Sequence, residues 1–216
     1  MEIKKLVLYT AELPRQLHFY KNTLGFPVIN STNNWFELDI GTSVLRFEQR
    51  NSPHVPYHFA INIPSNKAVE ALQWLRALTP LLMYNNSDLI DFTDWNARSI
   101  YFLDKEQNIV ELITRANLQT YSNLAFNGTE LLSISEIGMA VESIETTYNA
   151  LNQMKQLPIY DGNFEKFCAA GDECGLFIIV DSHTKQWFPT DINAQPADFI
   201  IEGDYNFEFR DGAVVV

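Results

Sequence analysis

The sequence predicts an α+β fold built from repeated units, each a strand that leads into a helix and then into further strands. Strand-like openings recur at Lys5-Leu6-Val7-Leu8-Tyr9, His58-Phe59-Ala60-Ile61-Asn62-Ile63 and Glu136-Ile137-Gly138-Met139-Ala140-Val141. Alternation puts an apolar set on one face of each: Leu6 and Leu8; Phe59, Ile61 and Ile63; Ile137, Met139 and Val141. The other face starts with an ionisable residue, Lys5, His58 or Glu136, which is the pattern of a strand lining a cavity.

Each element has a local reason. A helix is expected from near Glu12, with Pro14 where a missing N–H costs little. Its stripe is Leu13, Leu17, Tyr20 and Leu24, and Gly25 caps it in the left-handed conformation. Asn33-Asn34 and Gly41-Thr42 mark turns around Trp35-Phe36-Glu37-Leu38 and before Val44-Leu45-Arg46-Phe47-Glu48. The second unit repeats the plan, with Ser65 as N-cap of a helix whose stripe is Ala68, Leu72 and Leu75. Ser99 to Leu103 and Ile109 to Ile113 flank the polar interval Asp104–Asn108, a hairpin signal. Residues 116–130 are polar and read as a linker. A third unit follows, with a strand at 134–141, a helix stripe of Ile144, Tyr148 and Leu151, and a buried strand at Gly175–Val180. Two short β runs close the chain between Phe199 and Val216, with turns at Gly203-Asp204 and Asp211-Gly212.

Composition excludes several functions. The chain has 216 residues and 46% apolar content, enough to bury a substantial core. Fifteen basic against 27 acidic residues leave a net charge of −12, which repels nucleic acid, and no basic run relieves it. No apolar stretch approaches the roughly 18 residues of a membrane span, and no secretory leader is visible. A cytoplasmic protein with neither nucleic-acid nor membrane partners is expected. Cys168 and Cys174 form no C-x-x-C motif and are expected to be reduced thiols.

The run Leu8-Tyr9-Thr10-Ala11-Glu12-Leu13 through His18-Phe19-Tyr20-Lys21-Asn22-Thr23-Leu24-Gly25-Phe26 resembles the opening of the vicinal oxygen chelate superfamily. That superfamily includes glyoxalase I, bleomycin- and fosfomycin-resistance proteins and extradiol dioxygenases. Tyr101-Phe102-Leu103-Asp104 to Asn108-Ile109-Val110-Glu111-Leu112 resembles its closing strand, with Lys105 and Gln107 in place of the usual Pro and Gly. The resemblance implies paired βαβββ modules forming a cup-shaped mixed sheet. The cup carries a divalent metal held by residues of the first and last strands of each module. On this reading residues 1–115 form a two-module glyoxalase-like domain, 116–130 a linker, and 131–216 a third, partial module.

The ligand slots of the second module are then His58 and Glu111, whose nitrogen and oxygen suit Zn, Mn, Fe or Ni. Those of the first are Lys5 and Arg46, which as cations oppose a metal and leave half a site. Glu48 substitutes only if the register slips. Glu136 occupies the slot in the third module, but its closing-strand partner is Ile178, so no metal site is expected within that unit.

Two functional classes stay open. In the binding reading, a cup with no cofactor sequesters a small molecule, as in the bleomycin-resistance type. Lys5, Arg46, His58, Asn62 and Glu111 line it, and Glu111 stays ionised beside two cations. In the enzyme reading, one divalent metal at His58 and Glu111 serves a lyase or dioxygenase. Glu111 and Lys5 are then catalytic, Lys5 as general acid or base. The partner is a small-molecule ligand or substrate, and a homodimer is also open. The acidic surface favours a cation at long range, whereas Lys5 and Arg46 inside the cup favour an anionic group. Trp187-Phe188-Pro189-Thr190 reads as a packing anchor or as the aromatic wall of a pocket.

Overall fold

The computed structural model describes residues 1–51 and 53–216. Its first unit is β1 (Ile3–Thr10), α1 (Leu13–His18), β2 (Val28–Ser31), β3 (Trp35–Ile40) and β4 (Ser43–Gln49). The second is β5 (His58–Ile63), α2 (Ala68–Arg76), β6 (Ile90–Phe92), β7 (Ala97–Leu103) and β8 (Ile109–Arg115). The third is β9 (Ser133–Val141), α3 (Ile144–Met154), β10 (Ile159–Gly162), β11 (Phe167–Asp172) and β12 (Gly175–Asp181). The tail adds β13 (Phe199–Gly203), β14 (Phe207–Arg210) and β15 (Ala213–Val215). The third unit therefore carries the full βαβββ plan. The sequence reading did not place β10 and β11, because Cys168-Ala169-Ala170-Gly171 lacks the branched and aromatic residues that mark strands.

Local chemistry accounts for the helix ends. α1 runs on into a wider π-helical turn at Phe19–Thr23, and Gly25 follows at φ +68° as the left-handed cap. α3 starts from Ser143, whose hydroxyl accepts the Thr146 amide. α2 is a correction: it starts after Lys67 with no side-chain cap, and Ser65 makes no capping bond.

Apolar alternation places the first strand of each unit at the centre of one continuous sheet. Leu6, Leu8, Phe59, Ile61, Ile137 and Met139 all face the helical layer in a single core cluster. Burying a side chain the size of Phe59 stabilises by roughly 2–3 kcal/mol, so flipping any of these strands is prohibitive. Each closing strand lies parallel to its own opening strand, β4 on β1, β8 on β5 and β12 on β9.

Pairing between units corrects the sequence reading. Residues 1–115 do not close one cup. β5 pairs antiparallel with β9, with Phe59 opposite Ile137 and Ala60 opposite Glu136. β1 instead takes β13, with Leu6 opposite Ile201 and Val7 opposite Ile200, and touches β9 only at Ile3–Ile134. One cup is thus β6-β7-β8-β5-β9-β12-β11-β10, and the other is β2-β3-β4-β1-β13-β14-β15. Each finds its second half within this chain.

A clasp joins the first and second units. The buried Asp104 carboxylate accepts hydrogen bonds from Gln16 Nε2 (2.8 Å), the Tyr20 hydroxyl (2.8 Å) and Asn108 Nδ2 (2.7 Å). Glu106, in the same hairpin loop, accepts from Thr10 and from the amides of Ala11 and Glu12. Cys168 and Cys174 are both free. Among the described residues, no helix is long and apolar enough to cross a membrane.

Two outcomes follow from these contacts. Asp104 also accepts from the Glu106 and Asn108 amides, so Asp104→Ala strands five donors, four of them buried, and should cost about 3 kcal/mol or more, read from the denaturant midpoint. A fragment of residues 1–115 lacks β13 and β9, the antiparallel partners of β1 and β5. It should aggregate or fail to unfold cooperatively, whereas the full chain unfolds with a sharp transition.

Candidate metal centre

The pairing of β8, β5 and β9 sets three residues in a row across the second cup: Glu111, Ala60 and Glu136. Ala60 adds no bulk between them, so two long carboxylates lean toward each other over a methyl group. His58, two residues before Ala60 on the same face, completes the group. Its Nε2 lies 3.7 Å from Glu111 Oε2 and 3.8 Å from Glu136 Oε2. One donor atom from each residue falls within 4.8 Å of the others, and all three residues are buried.

Glu136 is the site residue that the sequence reading set aside. Its ligand slot was visible. What was not visible is that the third unit lends this residue to the second unit's cup, so Ile178 on its own closing strand is immaterial.

Lys5 and Arg46 are in the other cup. Lys5 Nζ sits 2.9 Å from Glu37 Oε1, and Arg46 Nη2 reaches the same oxygen at 2.9 Å. Arg46 also stacks over Trp35 at 4.0 Å and lies 3.7 Å from Glu48. Among the described residues, no ion pair joins Lys5, Arg46 or Glu48 to His58 or Glu111. The convergence of Lys5 and Arg46 on Glu111 is therefore overturned. Asn62 shares the His58 face, but its Nδ2 is spent on Ser133 Oγ (3.2 Å) and the Glu173 carbonyl (3.3 Å). It does not line the cavity.

The electrostatics of Glu111 reverse accordingly. The carboxylate flanked by two cations is Glu37: burial raises its pKa, but Lys5 and Arg46 outweigh that and hold it below the usual range. Glu111 instead feels burial first and the neighbouring Glu136 second, and its pKa is pushed up to about 7 despite His58. Burial alone would lower the His58 pKa, yet the two carboxylates raise it overall. Behind Glu136 stands Arg115, almost fully buried, whose guanidinium pairs with Oε1 and also donates to Ser135 Oγ. That leaves Oε2 of Glu136 facing His58.

A divalent metal, which the fold implies, fits this donor set. One imidazole and two carboxylates give a compact trio of nitrogen and oxygen donors from three adjacent strands. Two buried acids crowded enough to lift a pKa to about 7 are a cation's complement.

Above the trio lies a cavity of about 510 Å³. The His58 ring is flanked by Tyr101 at 6.3 Å and Trp187 at 5.6 Å between centroids. Trp187 is both of the things its sequence suggested, buried anchor and cavity wall. It packs on Gly138, where an added methyl would lie 2.6 Å from the indole ring. Phe92, Trp95, Phe167 and Phe188 extend the wall outward. They come from three separate segments, and of the four only Phe188 lies in a run that the sequence marked as a possible wall.

No family model matches the sequence, and no curated protein matches it. Solved structures do match. A provisionally named dioxygenase from Bacillus subtilis subsp. subtilis str. 168 superposes with a TM-score of 0.62 at 13% identity, over 93% of this chain and 69% of its own. A lactoylglutathione lyase from Agrobacterium tumefaciens covers 52% of this chain and 92% of its own, at TM-score 0.43 and 16% identity. A glyoxalase/bleomycin resistance protein/dioxygenase from Nocardioides covers 53% and 83%, at 0.43 and 20% identity. At such identities the likeness is one of fold. With the Bacillus subtilis protein it extends over most of this chain, and the cup-shaped mixed sheet that the opening and closing motifs implied is present.

The raised Glu111 pKa carries a stability consequence for metal-free protein. The folded state binds this proton more tightly than the unfolded chain, whose carboxyl titrates near its ordinary 4.5. Stability from this group is therefore full below about pH 4.5 and lost as pH rises toward 7. His58 acts in the same direction, with its contribution lost as pH rises through its raised pKa. Glu111→Gln should flatten the fall in the denaturation midpoint between pH 5 and 8.

Proposed function

We propose that this chain is a divalent-metal-dependent enzyme of the glyoxalase or dioxygenase type, acting on an oxygen-bearing small molecule in the cup of β5 to β12. One observation carries the reading: His58, Glu111 and Glu136 converge from three adjacent strands beneath a cavity. When bound there, the metal supplies a Lewis acid that polarises a substrate oxygen.

The chain's own groups do the rest. Arg115 holds one oxygen of Glu136 and keeps its charge compensated. Glu111, whose pKa is pushed up to about 7 in the metal-free cup, would give up its proton on becoming a ligand. Tyr101 and Trp187 flank the imidazole and keep water from it. Lys5 and Arg46 have no part in this, so the argument for a degenerate site falls with their placement. Both cups are complete within one chain, so activity does not require a homodimer.

One observation favours a metal-free binding cup as a second reading: Arg115 already neutralises one of the two acids. Calorimetry separates the two. Protein stripped with a chelator should take up one equivalent of Zn, Mn or Ni. His58→Ala or Glu136→Gln should weaken uptake by at least the roughly 10–100-fold that loss of an outer partner costs. Lys5→Ala and Arg46→Ala should leave it unchanged. No stoichiometric uptake by the wild type would replace the enzyme reading with the binding one.

A further inference from the structure

Moving Lys5 and Arg46 to the other cup removes the two cations that argued for an anionic ligand, and the charge of the site changes sign. We infer that the ligand of the second cup has a planar aromatic body and carries an ammonium-type cation toward the mouth. This rests on the reading that the cup is the ligand site.

The body of the ligand follows from the walls. Phe92, Trp95, Phe167 and Phe188 are only half-buried, and they expose their rings inside a concave mouth. Phe92 lies 6.2 Å from Trp95 and 5.9 Å from Phe188, while Trp95 stacks at 26° on Phe167. Rings held in place by one another lose little freedom when a flat guest enters. Deeper in, Trp187 lines the cavity with its indole N–H buried and unpaired.

The charge follows from the rim. Asp91, Asp94 and Asp161 line the mouth, and none makes an ion pair among the described residues. Asp161 accepts from Trp95 Nε1 at 2.7 Å, which ties a carboxylate to the edge of an aromatic ring. Lys185 is the one Lys or Arg of the cavity lining, and its Nζ lies 5.8 Å from the Phe167 ring. Three carboxylates against one ammonium leave the mouth negative, and the chain's −12 adds to this at long range. A divalent metal below does not cancel it. With Glu111, Glu136 and Arg115 it gives a net +1, which favours an anionic or polar oxygen at the inner end only. Aromatic faces beside carboxylates are the surroundings in which ammonium groups bind through cation–π contact. Lys185 already rests on such a face, where a ligand cation would also be held.

The test uses the full chain and three phenyl probes matched in shape: 2-phenylethylammonium, 2-phenylethanol and 3-phenylpropionate. Binding is followed by calorimetry and by quenching of tryptophan fluorescence, at low salt and pH 7.5. The ammonium should bind at least tenfold tighter than the alcohol, with the carboxylate weakest. Asp91→Asn with Asp94→Asn should bring the ammonium within about threefold of the alcohol. The alcohol's own affinity should not move, which shows that the variant is folded. Lys185→Gln should tighten the ammonium further. Equal affinities, or a preference for the carboxylate, would overturn the charge assignment while leaving the cup as the ligand site. If none of the three binds, stripped or metal-loaded, the cup is not the ligand site and the inference falls with it. Metal titration is read independently of both outcomes.

Discussion

A βαβββ unit cannot close a cup alone, because its opening strand presents one free edge with a full row of unpaired N–H and C=O groups. What covers that edge decides everything on the concave face. Here β9 covers β5, and the register puts Glu136 opposite Ala60, which is itself opposite Glu111. A slip of one residue would turn Glu136 into the apolar layer and bring Ile137 into the cup. The acid trio is thus a property of strand pairing, held by the Phe59, Ile61, Ile137 and Met139 packing on the other side of the same strands.

The two cups show how one scaffold gives opposite electrostatics. In the first, the row equivalent to Glu111–Ala60–Glu136 is Arg46–Val7–Ile200, and Lys5 stands where His58 does in the second. Its central carboxylate, Glu37, meets both cations at 2.9 Å, and Glu48 lies 3.7 Å from Arg46. Opposite charges in contact need no further partner, so this floor is internally satisfied. In the second cup two acids and an imidazole share a buried space with one guanidinium. Burial first and the neighbouring Glu136 second push the Glu111 pKa up to about 7. One cup is closed by its own ion pairs, and the other has a deficit that a cation fills.

The aromatic wall depends on a similarly small detail. Gly138 lies on β9 between the acid site and the loop carrying Trp187, and the indole ring takes the place a side chain there would occupy. Trp187 in turn leans on the His58 ring, so the residue that limits access to the imidazole is positioned by the absence of a neighbour's Cβ. Arg115 makes the complementary contribution by fixing one oxygen of Glu136.

Much of this was legible in the residues. Period-two alternation in the opening strands, helical stripes, Gly25 and the polar hairpin interval dictate local structure, because they act over a few residues and carry their own physical causes. The same alternation put His58, Glu111 and Glu136 on concave faces. Strand-to-strand partnership was not legible. β1 and β5 have equally apolar inner faces and equally open edges, and nothing local says that β5 takes β9 while β1 takes the tail. By itself the sequence determined the repeated unit and the fold class, and it put two of the three donors, His58 and Glu111, in ligand slots. Only the tertiary structure decided which ligands share a cup, because edge pairing is settled by how all the apolar faces pack at once.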